Sequence, residues 1–168
     1  MIRTPNIGKG QLSLKDVYRV LKETYQSWTR RAVPQAGDLI LAREAPAGNV
    51  AVVPEGLKVC LGQRTVLIRP KQSLLDSTYL AHLLLQPDSQ GRLLAHSRGA
   101  TVQHVNMKDI RAFPISAVPP LDEQRGVVAK LTEFLGKREK LESLYQQKLT
   151  ALAELKKSLL HEAFSGRL

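Results

Sequence analysis

The last 49 residues of the chain, 120–168, predict one long helix. Residues 121–163 contain no proline, and their only glycines are Gly126 and Gly136. At about 1.5 Å per residue this helix would be roughly 65 Å long, which is more than a compact domain of this size can cover. Part of the helix must therefore lie outside any domain that the rest of the chain can form.

One face of the predicted helix carries large apolar side chains at steps of three, four or six residues, with charged residues between them. This stripe consists of Leu131, Leu135, Leu141, Tyr145, Leu149, Leu152, Leu155 and Leu159. An isolated helix cannot bury such a stripe, so a partner helix is needed. We therefore expect residues 119–168 to form a coiled-coil region.

Residues 1–118 predict an α+β domain with a small, curved, β-rich core. Short runs of β-branched residues are separated by glycine and proline turns, which is the pattern of short strands. Strands are predicted at residues 39–43, 49–53, 58–61, 65–69, 101–105 and 113–118. Helices are predicted at residues 13–23, 78–85 and 87–95, with a single turn at 106–110. Asp76 and Ser77 are suited to cap the second of these helices.

The positive charge of the chain is concentrated in the N-terminal region. The chain carries a net charge of +10, and residues 1–118 hold 16 Lys and Arg against 8 Asp and Glu. Residues 119–168 hold 9 against 7. A basic domain favours a polyanionic partner, and nucleic acid is the first candidate. On charge alone, a soluble basic protein without such a partner remains the alternative.

Several classes of protein lack support in the sequence. The single cysteine, Cys60, lies in an apolar context and excludes a disulfide framework or a zinc–cysteine cluster. No run approaches 18 apolar residues and the N-terminus shows no signal-peptide pattern, so we expect a cytoplasmic protein without a membrane segment. The acidic residues and the four histidines show no catalytic or metal-ligand spacing. We expect no catalytic residue, no metal site and no enzyme activity.

A set of polar residues in or beside the predicted loops forms a candidate DNA-binding constellation. Arg reads guanine and Gln reads adenine through paired hydrogen bonds, while Lys and further Arg residues hold phosphates. The candidates are Trp28, Arg30, Arg31, Arg43, Arg92, Arg98, Gln103, His104 and Lys108. A solvated surface charge is the alternative interpretation of each one.

Two motifs flanking the predicted long helix resemble those of a known family. Residues 119–128 read PPLDEQRGVV, and residues 156–168 read KKSLLHEAFSGRL. Together they are similar to the start and the end of the helical spacer region in specificity subunits of type I restriction–modification systems. In the N-terminal region, residues 2–7, 37–43, 60–64, 79–80 and 98–105 resemble landmarks of the target recognition domain of that family.

The resemblance implies sequence-specific binding to double-stranded DNA without chemistry of its own. Recognition domains of this family grip the two parts of an interrupted target site, and the long helices pair and set the distance between those parts. Methyltransferase and restriction subunits are positioned around them. S-adenosylmethionine, ATP and Mg²⁺ are implied for those partner subunits, and no cofactor is expected on this chain.

The chain departs from the family pattern in two respects. It has one recognition domain and one helical region where a full subunit has two of each, so we expect a half-subunit. Such a half-subunit would form a homodimer or pair with another specificity subunit through the C-terminal helix.

The segment that opens the domain in the family is also missing before residue 2, which suggests an N-terminal truncation. The alternative is a truncated remnant that acts only as a coiled-coil interaction protein without reading DNA.

Overall fold

The computed structural model describes residues 1–97, 103–115 and 118–165, and it divides into two compact units. The head unit is Met1–Arg125, and the helical unit comprises the residues from Gly126 onward. The first turn of the long C-terminal helix therefore belongs to the head unit.

The described residues form helices and strands in the arrangement of an α+β fold, which confirms the sequence-based fold class. The strands are β1 (Leu39–Ala42), β2 (Val50–Val52) and β3 (Thr65–Ile68). The helices are α1 (Lys22–Trp28), α2 (Ser77–Leu85), α3 (Pro87–Leu93), α4 (Met107–Arg111) and α5 (Leu121–Phe164). Single 3₁₀ turns occupy Thr4–Asn6 and Ala95–Ser97.

The three strands form an antiparallel sheet in the order β2-β1-β3. Leu39 pairs with Val52 on one side and with Ile68 on the other, which sets the register of both ladders. All four residues of β1 are buried. A central strand that is covered on both faces needs apolar side chains at every position, and this is why β1 reads Leu-Ile-Leu-Ala without alternation.

Alternate residues of β1 enter two different apolar cores, since successive side chains of a strand point to opposite faces. Leu39 and Leu41 pack with α2 residues such as Leu80. Ile40 and Ala42 pack with residues from the start of the chain and from the segment after β2. The sheet is thus the middle layer of the head unit.

The start of the chain is held to the sheet side by backbone hydrogen bonds. The Ile2 amide donates to the Cys60 carbonyl at 2.9 Å, and the Gly62 amide donates to the Ile2 carbonyl at 2.7 Å. Ile2 is 1% exposed and lies in the second core. A side chain at residue 62 would meet the Ile2 carbonyl oxygen at 3.0 Å from its Cβ, so this close backbone approach favours glycine.

The helix predicted at residues 13–23 is wrong, because α1 begins only at Lys22. Asp16 has φ of 56°, which no right-handed helix can accommodate. The buried Asn6 amide nitrogen donates to the carbonyls of Ser13 and Lys15 at 3.2 and 3.1 Å. These tertiary hydrogen bonds hold the segment in an irregular conformation that a local capping pattern could not reveal.

Two of the predicted strands, 58–61 and 113–118, are not observed among the residues that the structure describes. In residues 58–61 only Leu61 makes a β-bridge, an isolated one with Ile2. Residues 113–115 lie outside any strand, and residues 116–117 fall outside the described part of the chain. In the predicted strand 101–105, residues 101–102 also lie outside the described part, while His104 forms a single bridge with Glu44.

The strongest local predictions are confirmed. Asp76 caps α2, its side chain accepting from the Tyr79 amide at 2.9 Å. The long helix, predicted at 121–163, is observed at Leu121–Phe164, with 44 residues and a length of roughly 66 Å. The structure describes every residue of α5, and among them only Gln124 is buried.

Candidate nucleic-acid interface

Two adjoining cavities on the head unit form one basic groove. The first has a volume of about 810 Å³ and the second about 520 Å³, and they share Trp28, Arg31 and Leu61. We call the combined surface the Trp28 groove. Its lining residues are Met1, Arg3, Thr4, Pro5, Ser27, Trp28, Arg30, Arg31, Ala32, Arg43, Leu61, Gly62, Gln63, Arg64, Thr65, Val66, Leu67 and Met107.

The lining of the Trp28 groove carries charge of one sign. It includes five arginines, and none of its described lining residues is Asp or Glu. A concave surface lined by one sign of charge concentrates its field and attracts an oppositely charged polymer. The groove is therefore suited to a polyanion.

Trp28 reaches the groove because it is the last residue of α1. The next residue, Thr29, is buried and its hydroxyl donates to the Tyr25 carbonyl at 2.7 Å, which fastens the end of the helix. Trp28 remains 51% exposed, and Arg30 and Arg31 are exposed beside it. An exposed tryptophan between arginines offers a flat apolar face next to phosphate-binding groups.

Arg43 is held in a defined orientation at the end of β1. Its Nε donates to the Val105 carbonyl at 2.9 Å, and its backbone amide donates to the Arg64 carbonyl at 2.8 Å. The Val105 amide donates back to the Arg43 carbonyl at 2.8 Å, and Val105 itself is buried. Because Nε is engaged by the protein, the guanidinium plane is oriented before any ligand arrives.

His104 lies next to this arginine through the β-bridge between Glu44 and His104. Glu44 forms an ion pair with Arg64 at 2.9 Å, and the His104 ring contacts the Asn106 side-chain oxygen at 3.1 Å. Gln103, which comes just before His104, is exposed. Gln103 and His104, two of the sequence-based candidates for DNA binding, thus lie beside the end of the groove that Arg43 lines.

The sequence-based candidates did not include two arginines and a glutamine that line the groove: Arg3, Arg64 and Gln63. Arg3 lies over the Tyr18 ring, with its guanidinium carbon 3.8 Å from the ring centroid. Its buried Nε has no hydrogen-bond partner among the described residues. The start of the chain reaches the groove only because Ile2 binds beside Leu61, a contact between residues far apart in sequence. The family-like landmarks at residues 2–7 and 60–64 were the available signal.

Two further candidates, Arg92 and Lys108, are not among the lining residues of the groove. Arg92 is exposed on α3 and is not among the lining residues. Lys108 is exposed on α4, next in the chain to the lining residue Met107. Arg98 lies outside the described residues. Of the nine candidates, Trp28, Arg30, Arg31 and Arg43 share the groove itself.

An ion pair between the buried Asp38 and the half-exposed Arg69 stabilises the chain between α1 and β1. Both oxygens of Asp38 accept from Arg69, at 2.7 Å from Nε and 2.6 Å from Nη2, and the Gln35 amide donates to Asp38 at 2.8 Å. Burial acts to raise the pKa of Asp38, but the Arg69 and Gln35 hydrogen bonds and the Arg69 charge hold that pKa below its ordinary value of 3.8. Arg69 also donates to the Val33 carbonyl at 2.9 Å, which ties down the chain after Arg31.

The helical unit exposes the apolar stripe predicted from sequence. Seven of the eight stripe residues are exposed large hydrophobics, and Leu131 is half-buried. Leu149 and Leu152, for example, are 61% and 62% exposed. Apolar side chains at helical spacing and exposed to this extent indicate a surface that a partner covers.

Neither a metal-binding cluster nor a membrane-spanning helix occurs in the described part of the chain. In residues 1–97, 103–115 and 118–165, no three or more His, Cys, Asp or Glu side chains are grouped so that they could hold a metal ion. Within these residues, no helix combines the length and the apolar character needed to cross a membrane.

The fold and sequence match known proteins along most of the chain. The E. coli type I restriction enzyme EcoBI specificity subunit is 23% identical over 168 residues, which is 100% of this chain and 35% of that protein. The structure is also similar to that of the HsdS subunit from Thermoanaerobacter tengcongensis, with a TM-score of 0.63 and 23% identity over 84% of this chain and 36% of the other.

A chain from a structure of the type I R-M system, described for its complex assembly and conformational transition, gives a TM-score of 0.67. It is 23% identical, and the match covers 98% of this chain and 37% of the other. The chain thus spans little more than a third of the length of these relatives.

The family described as the type I restriction modification DNA specificity domain matches residues 5–151. This range contains the whole Trp28 groove apart from Met1, Arg3 and Thr4, and more than half of α5. The chain therefore belongs to the type I restriction–modification DNA specificity domain family.

Proposed function

We propose that the chain binds double-stranded DNA in a sequence-specific manner, as the specificity component of a type I restriction–modification complex. The observation that carries this proposal is the Trp28 groove, in which five arginines and a half-exposed tryptophan meet without a lining carboxylate. Family membership supports the same function.

Within the groove, the arginines divide into two roles. Arg30 and Arg31 are exposed at the end of α1 and are suited to phosphate contacts, which position a protein on DNA. Arg43 is oriented by its bond to the Val105 carbonyl and is suited to paired hydrogen bonds with guanine. Gln103 and His104, beside the Arg43 end, would supply further base contacts.

The exposed stripe of α5 supports assembly with a second long helix. Either a second copy of this chain or another specificity subunit would cover the stripe, and two heads would then grip the two parts of an interrupted site. Methyltransferase and restriction subunits would be positioned on this site, in the cytoplasm. S-adenosylmethionine, ATP and Mg²⁺ would belong to those subunits, and this chain would itself be non-catalytic.

A second candidate function is that of an interaction protein without DNA reading. The exposed large apolar residues of α5 favour it, because they require a partner whether or not the head binds DNA. In this case the chain would join partner subunits through α5 alone.

Selection from a library of random DNA duplexes separates the two functions. The full chain is incubated with the library, alone and together with methyltransferase and intact specificity subunits, and bound duplexes are sequenced. Sequence-specific binding predicts an enriched interrupted motif, and a duplex bearing it should bind at least about 1000-fold more tightly than an unrelated duplex. Complex formation with the subunits but no enriched motif would leave only the interaction function.

A further inference from the structure

Arg64 lies in the turn that leads into β3, where its side chain is exposed and lines the Trp28 groove. Its backbone φ is 63°, which is in the left-handed region. Glycine enters this region without steric cost and asparagine is tolerated there, whereas a long side chain at this φ is uncommon. The backbone of the turn therefore does not favour arginine, and a residue strained in this way directs attention to its side chain.

Hydrogen bonds around the turn fix the backbone of Arg64. The Thr65 hydroxyl donates to the Gly62 carbonyl at 2.7 Å, and the Arg43 amide donates to the Arg64 carbonyl at 2.8 Å. The Arg64 side chain therefore starts from a defined point beside Arg43, and both side chains line the same cavity of the groove.

Glu44 binds one edge of the Arg64 guanidinium. The Nη1 atom of Arg64 is 2.9 Å from the Oε2 atom of Glu44, whose side chain is 25% exposed. No residue that the structure describes bonds to the Nε or Nη2 atoms of Arg64. Because the guanidinium is planar and rigid, the N–H groups of these two nitrogens form a fixed pair of donors. Such a pair matches the O6 and N7 acceptors of guanine in the major groove.

The Glu44 carboxylate favours a base edge over a phosphate as the ligand of Arg64. A carboxylate this close repels a phosphate, whereas it does not repel the neutral edge of a base in this way. The same ion pair restricts rotation of the guanidinium, so its plane is set before DNA arrives. Arg30 and Arg31 form no ion pair among the described residues, and they keep the full charge that phosphate contacts need.

We propose that Arg64 is a specificity-determining residue that reads one guanine of the DNA target through its Nε and Nη2 atoms, and that Glu44 positions its guanidinium. The inference rests on the proposed function and adds to it the residue, the base and the atoms that meet. The left-handed backbone at Arg64 is then the cost in stability of placing this side chain in the groove.

The test repeats the selection from random duplexes with the full chain, alone and together with the partner subunits, for the wild type and three variants. Arg64→Lys keeps the charge but loses the planar pair of donors, and Arg64→Gly removes the side chain. Arg19→Lys makes the matched change at an exposed arginine outside the groove. The wild type and Arg19→Lys should require guanine at the same position of the motif. Both Arg64 variants should accept other bases at that one position and keep the rest of the motif.

Affinities for single duplexes give the size of the effect. Replacing the assigned guanine by adenine should weaken wild-type binding about 10- to 100-fold, as for the loss of a paired contact. The same replacement should change the binding of the two Arg64 variants by about 2-fold or less. A motif unchanged in both variants, or a loss of affinity that is uniform over all sequences, would overturn the proposal.

The positioning role of Glu44 has its own variant. Glu44→Gln keeps the shape of the side chain and removes its charge, so it should reduce the preference for guanine about 3-fold at the Arg64 position and at no other. An unchanged preference at that position, or equal losses at several positions, would contradict this role.

Urea unfolding provides a readout without DNA. Arg64→Gly should unfold at the same urea concentration as the wild type or at a higher one, since glycine relieves the left-handed backbone. Gln63→Gly, at the exposed neighbour whose φ is not in that region, should unfold at a lower concentration, because glycine there only adds freedom to the unfolded chain. A clear decrease for Arg64→Gly would show that the side chain serves the fold, and would overturn the proposal.

The two levels of inference fail in different ways. If the wild type selected no motif, the proposed function would fail, and the guanine contact with it. A wild-type motif that the Arg64 variants also select would refute the guanine contact alone.

Discussion

The head unit buries most of its large apolar side chains in its own cores, whereas the helical unit leaves its large apolar side chains exposed. The head unit sandwiches β1 between two apolar cores built from its own residues. In the helical unit, no residue of α5 is buried, and its large apolar side chains face solvent. The head can therefore fold with its own contacts, whereas a long single helix owes its stability to packing with a partner.

The largest expected effect is on self-association through the exposed apolar stripe of the helical unit. Changing Leu141, Leu149 and Leu152 together to Glu should abolish self-association, because each buried leucine contributes about 1.5–3 kcal/mol and an introduced charge opposes burial. The association constant, measured by analytical ultracentrifugation, should fall by at least about 100-fold. The thermal unfolding of the head should be retained.

The matched control places the same charges away from the stripe, at Ser143, Gln146 and Gln147, all exposed on α5. This variant should associate like the wild type. If the leucine triple variant remained dimeric, the coiled-coil assignment would be wrong.

The second expected effect is on DNA binding by the head unit, and it does not involve α5. Changing Arg30 and Arg31 to Ala should weaken DNA binding about 10- to 100-fold near 0.1 M salt, because two phosphate contacts are lost. The slope of log K against log salt should decrease by about 2. Fluorescence anisotropy over a salt series measures both quantities.

The control for that experiment removes two positive charges elsewhere on the head, at the exposed residues Lys9 and Lys71, which do not line the groove. Its affinity and salt slope should stay close to those of the wild type. Equal losses in the two double variants would show that net charge, and not the Trp28 groove, governs binding.

A third effect concerns the stability of the head. Asp38→Asn should lower the free energy of unfolding by about 2 kcal/mol at neutral pH, since the charge-assisted hydrogen bonds between the buried Asp38 and the half-exposed Arg69 are lost. The exposed part of Arg69 becomes hydrated in the variant, which keeps the loss below that of a fully buried pair. Urea unfolding monitored by circular dichroism gives the value, with Glu55→Gln as the exposed control.

The pH dependence of the same variant follows from the lowered pKa of Asp38. A carboxyl whose pKa is lower in the folded state stabilises the fold above its unfolded-state pKa, near 3.8, and loses this contribution as pH falls through the folded-state pKa. Wild-type stability should therefore decrease in this acid range more than that of Asp38→Asn. Parallel pH profiles would contradict this role of Asp38.

The smallest expected effect is on the stability of α5 in the helical unit. Gly136→Ala should stabilise α5 by about 1 kcal/mol, since glycine costs that much in a helix interior. No atom lies within 4 Å of the added Cβ, so no clash offsets the gain. Helix melting followed at 222 nm should shift upward, and DNA affinity should not change.

The accuracy of the sequence-based predictions differs between the two units for a physical reason. The bounds of α5 were predicted to within one residue, because helical periodicity and the absence of proline act locally. The Asp76 cap was predicted for the same reason. The helix expected at 13–23 was wrong, because hydrogen bonds from Asn6 and the left-handed backbone at Asp16 depend on tertiary contacts.

For the Trp28 groove too, the sequence predicted residues that are neighbours along the chain but not those that tertiary contacts bring together. Trp28, Arg30 and Arg31 are neighbours in sequence, and their chemistry was sufficient to select them. Arg3 and Arg64 were not selected, because no local pattern predicts that the start of the chain pairs beside Leu61. Arg92 satisfied the same local criteria as Arg43, yet only Arg43 extends from the central strand into the groove.

The sequence by itself determined the long helix, its apolar stripe, the basic character of the N-terminal region and the family resemblance. These depend on residue order and on interactions within a few residues along the chain. Only the tertiary structure decided which arginines share the Trp28 groove. It also decided that the Gln124 side-chain oxygen, in the first turn of α5, accepts a hydrogen bond from the amide of Asp76, the cap of α2. Both depend on contacts between distant segments, and a change in packing would alter them without altering any local pattern.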